Sequence, residues 1–258
     1  MKIVGIIPAR IESTRYYGKP LKEICGMPMI GHVYHRSNLC DLLSDVYVAT
    51  CNNEIYNYVS SINGKVVMTA NSHERASDRV AEALVNIEKD LQEKIDIVVM
   101  IQGDEPMIFP EMISDGIEPL IKNKKLAVTN LMSVINSKSE WVDPNEVKVV
   151  VDNQNFALYF SREPIPSDKK YDGKIVAFKQ VCIISFKRDI LLQYCNMKPT
   201  PLEIIESVDM NRLLENGIRI KMVPTDQSTF AVDTEKDLKY VNNIMKNDKL
   251  MKTYLGNS

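Results

Sequence analysis

Five consecutive apolar residues, Ile97–Ile101, run directly into Gln102-Gly103-Asp104-Glu105-Pro106. A run this short with no polar side chain to turn to water reads as a central strand covered on both faces. The chain opens in the same way. Residues 3–7 (Ile-Val-Gly-Ile-Ile) break at Pro8 and Ala9 into a loop carrying Arg10, Ser13, Thr14, Arg15, Gly18 and Lys19. Further short β-branched runs at 46–49 and 66–68 alternate with helical patterns at 29–39, 53–59 and from Ser77 onward, where Val80, Leu84, Ile87 and Leu91 fall on one face. Alternating strand and helix predicts an α/β fold with a mostly parallel, Rossmann-like sheet flanked by helices. In such sheets ligands bind beyond the carboxyl ends of the strands, where both the Arg10–Lys19 loop and the Gln102–Pro106 loop must lie.

From about residue 126 to 190 the pattern changes. Strand candidates at 126–134, 147–151, 156–160 and 181–186 follow one another with little helix between, and Asp152-Asn153-Gln154-Asn155 reads as a hairpin turn. This stretch is expected to be a smaller β-rich insertion carrying a dimer surface, within one domain spanning 1–258. Helix returns after Pro201 and ends near Asn216-Gly217, a strand follows at 218–223, and a last helix is capped by Thr234.

With 258 residues, 45% of them hydrophobic, the chain buries a full α/β core. Its formal charge of −2 provides no field to draw nucleic acid or a membrane surface, and no apolar stretch reaches membrane-spanning length. Five cysteines without a C-x-x-C fit reduced thiols, and the absence of a signal-peptide pattern adds the expectation of a cytoplasmic protein.

Any anionic ligand must therefore be held locally. Three cations, two hydroxyls and a glycine after the first strand suit a polyphosphate; the competing reading is a solvated basic loop. Asp104, behind a glycine at the end of a central strand, and Asp233, between an apolar run and a helix, suit a divalent cation shared with phosphate oxygens. The alternative for each is capping of backbone N–H groups. The polar stretch 72–79, with Arg75, Ser77 and Arg79, precedes a helix and suits a nucleobase or phosphate, or a solvated helix start. Arg162 at a strand end pairs with a carboxylate or is solvated. His32 and His35 are read as packing or surface residues, since no third metal ligand accompanies them. Walker A and G-x-G-x-x-G patterns are absent.

Taken together, these segments resemble the CMP-Kdo synthetases (3-deoxy-manno-octulosonate cytidylyltransferases). The likeness runs almost end to end, through Ile7-Pro-Ala-Arg10, Ser13-Thr-Arg15, Gly18-Lys-Pro-Leu21, Gln102-Gly-Asp-Glu-Pro-Met-Ile108, Val147-Lys-Val-Val150, Ala157-Leu-Tyr-Phe-Ser-Arg162, Pro201-Leu-Glu203 and Val232-Asp-Thr234. It implies a nucleotidyltransferase fold, a homodimer, CTP, Mg²⁺, a small acidic acceptor and a place in lipopolysaccharide supply. By position, Pro8, Ala9, Arg10, Arg15, Lys19, Ser77, Arg79, Gln102 and Asp104 correspond to nucleotide contacts. Lys19, Arg15, Asp104 and Asp233 correspond to the catalytic set, with Asp104 and Asp233 as the Mg²⁺ carboxylates. Arg162, Lys179, Gln180, Ser185, Glu203 and Met210 fall on the acceptor side. The departures cluster there: Gln180 replaces a usual His, Ile184 a usual Tyr, Asp209-Met210 a Glu-Gln pair and Ile204 a His. The expected reaction is transfer of CMP from CTP to Kdo or a related 2-keto-3-deoxy sugar acid. A phosphonate acceptor, a decayed nucleotide-binding homologue and a glycosyltransferase using a nucleotide sugar are the alternatives.

Overall fold

The computed structural model describes residues 1–12, 16–170, 173, 175–227 and 229–255. Ser13, Thr14 and Arg15 lie outside the described residues. The chain forms two compact units, one of residues 1–114 with 228–258 and one of residues 115–227.

The first unit is built on parallel strands. β1 (Ile3–Ala9) is buried at every position and pairs on one side with β4 (Asp45–Thr50) and on the other with β6 (Ile97–Ile101). β5 (Lys65–Met68) adds to β4 as a half-exposed strand. β2 (Glu23–Ile24) and β3 (Met27–Pro28) make a separate two-stranded ribbon through Gly26, whose φ of 83° only glycine adopts without strain. Helices α1 (Met29–Asn38), α2 (Asn53–Ser61) and α3 (Ala76–Leu91) each follow one of these strands, as crossovers between parallel strands require. On α3, Val80, Leu84 and Ile87 are buried as the 3.6-residue period demands, while Leu91 is 36% exposed. The helix starts at Ala76 with Arg75 as N-cap, so Ser77 lies inside its first turn and is not the cap. Helix α4 (Pro110–Lys122) starts in this unit.

The carboxyl-terminal helices α9 (Glu235–Met245) and α10 (Met251–Leu255) complete the first unit. They pack Val241, Met245 and Met251 on Ile24 and Met29. A buried polar chain reinforces this contact. Arg36 Nε donates to Tyr254 Oη at 3.2 Å, Tyr254 Oη lies 2.8 Å from His32 Nδ1, and His32 Nε2 lies 2.7 Å from the Ile24 carbonyl. Because Ile24 O only accepts, His32 must carry its proton on Nε2 and receive one from Tyr254. Burial lowers the His32 pKa to about 4, which keeps the ring neutral. The packing role expected for His32 therefore holds.

The second unit is mixed. β7 (Val128–Val134) pairs antiparallel with β10 (Phe178–Lys187) and parallel with β11 (Ile220–Pro224). β8 (Lys148–Val151) and β9 (Ala157–Ser161) form the expected hairpin. Its turn is held by Asp152, whose Oδ1 accepts the N–H groups of Gln154 and Phe156, with Asn155 at φ 57°. Helices α5 (Lys138–Val142), α6 (Arg188–Cys195) and, from Pro201, α7 (Pro201–Glu206) follow in chain order. The helix expected to continue to Asn216 is broken at Ser207, which takes φ 51°, and resumes as α8 (Met210–Glu215).

Candidate active site

Gly18 sets the position of Lys19. Its φ of 72° turns the chain, its N–H donates to the Ile11 carbonyl at 3.0 Å, and Lys19–Leu21 follow as a single 3-10 turn. The Lys19 ammonium then reaches two carboxylates at once, Asp104 Oδ2 at 2.7 Å and Asp233 Oδ1 at 2.9 Å. Burial disfavours its charge, but the two carboxylates outweigh that cost and raise the Lys19 pKa above the ordinary lysine value.

Asp104 and Asp233 are far apart in sequence, and the main chain brings them together. The Val232 N–H donates to the Asp104 carbonyl at 2.9 Å. Gly103 makes room for the strand end: a Cβ there would stand 3.1 Å from the Pro8 carbonyl. The capping alternative for Asp233 is answered by its neighbours. Thr234 and Asp237 form a reciprocal capping box at the start of α9, so the Asp233 carboxylate is turned to Lys19 instead.

A cavity of about 250 Å³ opens beside this cluster. Pro8, Ala9, Arg10, Lys19, Arg79, Gln102 and Asp104, the described residues expected as nucleotide contacts apart from Ser77, line it. Glu12, His73, Glu74 and Ala76 line it as well and had no signal beyond their place in polar stretches. Arg79 is nearly buried and donates to Thr69 Oγ1 at 2.6 Å and to the Ala70 carbonyl at 3.3 Å, fixing the loop before α3. The Arg75 side chain makes no capping bond to α3, whose first residue, Ala76, is part of the wall. Ser77 is a correction: it is fully buried and lies outside the lining. Among the described residues, no group of three or more His, Cys, Asp or Glu side chains forms a metal cluster.

Within the second unit most of the acceptor-side expectations need correcting. Glu203 is fully buried, with both carboxylate oxygens on Arg212 at 2.6 and 2.5 Å, and its side chain also caps α7. Met210 is buried in the core, and the Ser185 hydroxyl has no hydrogen-bond partner among the described residues, packing where a Cβ at Gly116 would lie 3.2 Å away. None of these three presents a surface to a ligand. Arg162 spends its Nε, Nη1 and Nη2 donors on the carbonyls of Glu206, Pro144 and Ser207. Lys179 is balanced by Glu140 at 2.7 Å and Glu146 at 3.1 Å. Both are tied into the unit's own framework. Gln180 alone keeps a half-buried amide, aimed by a 2.6 Å bond from its Nε2 to Asn130 Oδ1.

Comparison with known proteins places this geometry. The structure of CMP:2-keto-3-deoxy-manno-octonic acid synthetase complexed with CTP matches with a TM-score of 0.88 at 37% identity, covering 95% of this chain and 99% of that one. A cytidylyltransferase from Leptospira borgpetersenii, at 15% identity and TM-score 0.63, shares the fold. The protein is thus an α/β nucleotidyltransferase. The 3-deoxy-manno-octulosonate cytidylyltransferase of Geobacter metallireducens is 43% identical over 248 residues, 92% of this chain and 95% of the relative. That of Fusobacterium nucleatum is 42% identical over 250 residues, 97% and 99% of the two chains. Residues 4–220 match the cytidylyltransferase family, and the chain belongs to it, among the CMP-Kdo synthetases.

Proposed function

We propose that the protein transfers CMP from CTP to a hydroxyl of an acidic sugar, 3-deoxy-manno-octulosonate or a related 2-keto-3-deoxy sugar acid, and releases pyrophosphate. The observation that carries this reading is the meeting of Asp104 and Asp233 on Lys19 at the wall of a cavity lined by Arg10 and Arg79.

In the reaction the acceptor hydroxyl oxygen attacks the α-phosphorus of CTP and gives up its proton to solvent, while the bond from the α-phosphorus to the oxygen bridging to the β-phosphate breaks in line and pyrophosphate leaves. Arg10 and Lys19 offset the charge on the triphosphate and on the departing pyrophosphate. Arg15 belongs to the same reading by position. Gln102 and the start of α3 at Ala76 face the base, and Arg79 holds that wall in place. Gln180 is the acceptor-side residue retained.

Two carboxylate oxygens that share one small cation form a hard-oxygen donor set, and Mg²⁺ usually takes one or two protein carboxylates together with phosphate oxygens and water. The residues therefore fit Mg²⁺, with Asp104 and Asp233 as its ligands. Held by Asp104 and Asp233, it would supply Lewis-acid stabilisation of the charge on the phosphates.

The reading includes a cytoplasmic homodimer that supplies a CMP-sugar for lipopolysaccharide synthesis. Five free thiols support the compartment, and exposed Leu158, Ile204 and Ile205 on the second unit support an association surface.

The test follows pyrophosphate release by the pure protein with CTP, Mg²⁺ and a panel containing Kdo, other 2-keto-3-deoxy and amino sugar acids, and phosphonates. Release with a sugar acid is expected, with CTP preferred over other nucleotides. Release with phosphonates alone would replace the acceptor class, and CTP binding without release for any acceptor would make the protein a decayed homologue.

A further inference from the structure

The ammonium of Lys19 sits where a cation bridging Asp104 and Asp233 belongs. Its nitrogen is 2.7 Å from one carboxylate and 2.9 Å from the other, and the three side chains are only 13%, 25% and 24% exposed. Two like charges this close and this shielded need a counter-ion, and the chain provides its own. A divalent ion and the ammonium cannot occupy the same space between the carboxylates. Whatever binds there must first displace Lys19.

The surrounding geometry lets the head group leave without disturbing the backbone. The Lys19 main chain is pinned by the 3-10 turn, with the Leu21 N–H on the Gly18 carbonyl at 3.0 Å and the Lys22 N–H on the Lys19 carbonyl at 3.1 Å. Its four-carbon stem has rotatable bonds enough to swing the nitrogen through several ångströms. The direction of that swing is also marked out. Lys19 lines the same cavity as Arg10, so a polyphosphate held there is a second, more highly charged partner within reach.

We propose that Lys19 is a resident counter-ion for the Asp104–Asp233 pair, handed over to the phosphates when the nucleotide binds, so that the carboxylates take up a divalent cation with or after the nucleotide and resist it before. The inference rests on the reading of these two carboxylates as the metal pair. Binding linkage makes it reciprocal: a nucleotide that frees the pair tightens the metal by the same factor as the metal tightens the nucleotide. Lys19 then sets the order of assembly as well as the charge balance of the reaction.

The experiment is a titration of the whole protein with Mn²⁺ alone, read by electron paramagnetic resonance of the free ion, for the wild type, Lys19→Met and Lys19→Arg. The expected result is weak Mn²⁺ binding by the wild type, binding about tenfold tighter or more in Lys19→Met, within the usual range of site–site coupling, and a return to weak binding in Lys19→Arg. Mn²⁺ alone should also raise the melting temperature of Lys19→Met more than that of the wild type. Lys19→Gln serves in the same way should the Met variant not fold. Equal or weaker Mn²⁺ binding in Lys19→Met overturns the inference. Titration in the presence of CTP separates this from failure of the metal assignment. If Asp104→Asn and Asp233→Asn leave CTP-dependent Mn²⁺ uptake unchanged, the metal pair itself is wrong and the counter-ion role goes with it.

Discussion

Val232 donates its backbone N–H to the carbonyl of Asp104 at 2.9 Å, and through this bond the loop after β6 and the segment entering α9 become one wall of the site. Asp104 and the residue after Val232, Asp233, are thereby set side by side. A main-chain bond does not depend on either carboxylate's charge, so the wall should survive neutralisation of the side chains.

Asp104→Asn and Asp233→Asn should each lower turnover by ~100-fold or more, the order of a lost electrostatic element in a transition state. The double variant should cost little more than the worse single one, because both carboxylates meet at one point, the Lys19 ammonium. Pyrophosphate assays alongside melting curves check this. Near-normal turnover in both single variants would remove the pair from the mechanism.

Thr234→Ala should separate capping from chemistry. Its hydroxyl accepts the Asp237 N–H at 3.2 Å, and loss of such a cap costs about 1 kcal/mol. We expect lowered stability with turnover close to the wild type, the reverse of the Asp233→Asn pattern. Equilibrium urea unfolding and steady-state kinetics on the two variants make the comparison.

Glu203→Gln should act on stability and not on acceptor recognition. It strands the Arg212 guanidinium, whose pKa is raised above its ordinary value chiefly by the hydrogen bond to Glu203, in the interior of the second unit. Breaking a buried pair in this way costs ~3–5 kcal/mol. Chemical denaturation should show that loss, while the folded fraction keeps its acceptor KM. An altered KM at unchanged stability would return Glu203 to the acceptor site.

Stability should fall as the solution is acidified from about pH 6.5 to pH 4. Burial lowers the His32 pKa from 6.5 to about 4, so in that window the unfolded chain binds a proton that the folded one refuses. The native state is favoured above the unfolded pKa, and the advantage is lost as pH falls toward the folded one, by up to ~3 kcal/mol. Urea unfolding at pH 7 and pH 4.5 should show the difference, and His32→Gln should flatten it. An unchanged slope in that variant would show that His32 is not the responsible group.

Much of the fold was legible because it rests on local pattern. The all-apolar run Ile97–Ile101 is a fully buried strand at its expected limits, and Asp152-Asn153-Gln154-Asn155 makes the turn its residue types favour. Helix α4 escaped notice because Pro119 interrupts its helical signal from inside. The break at Ser207 escaped because a serine at positive φ has no local signature. The polar stretch 72–79 fitted a ligand site or a solvated helix start equally well, because only the cavity that His73 and Glu74 line separates the two.

The amino-acid order alone determined the alternation of strands and helices and the loops at their carboxyl ends, and it raised the expectation that Lys19, Asp104 and Asp233 work together, since these follow from short-range periodicity and from motifs that resemble a known family. Only the tertiary structure decided that Asp233 faces Lys19 while Thr234 caps the helix, and that Glu203, Ser185 and Met210 are interior residues. Those outcomes depend on which distant groups satisfy one another's charges and hydrogen bonds once water is excluded, and no local pattern records such pairings.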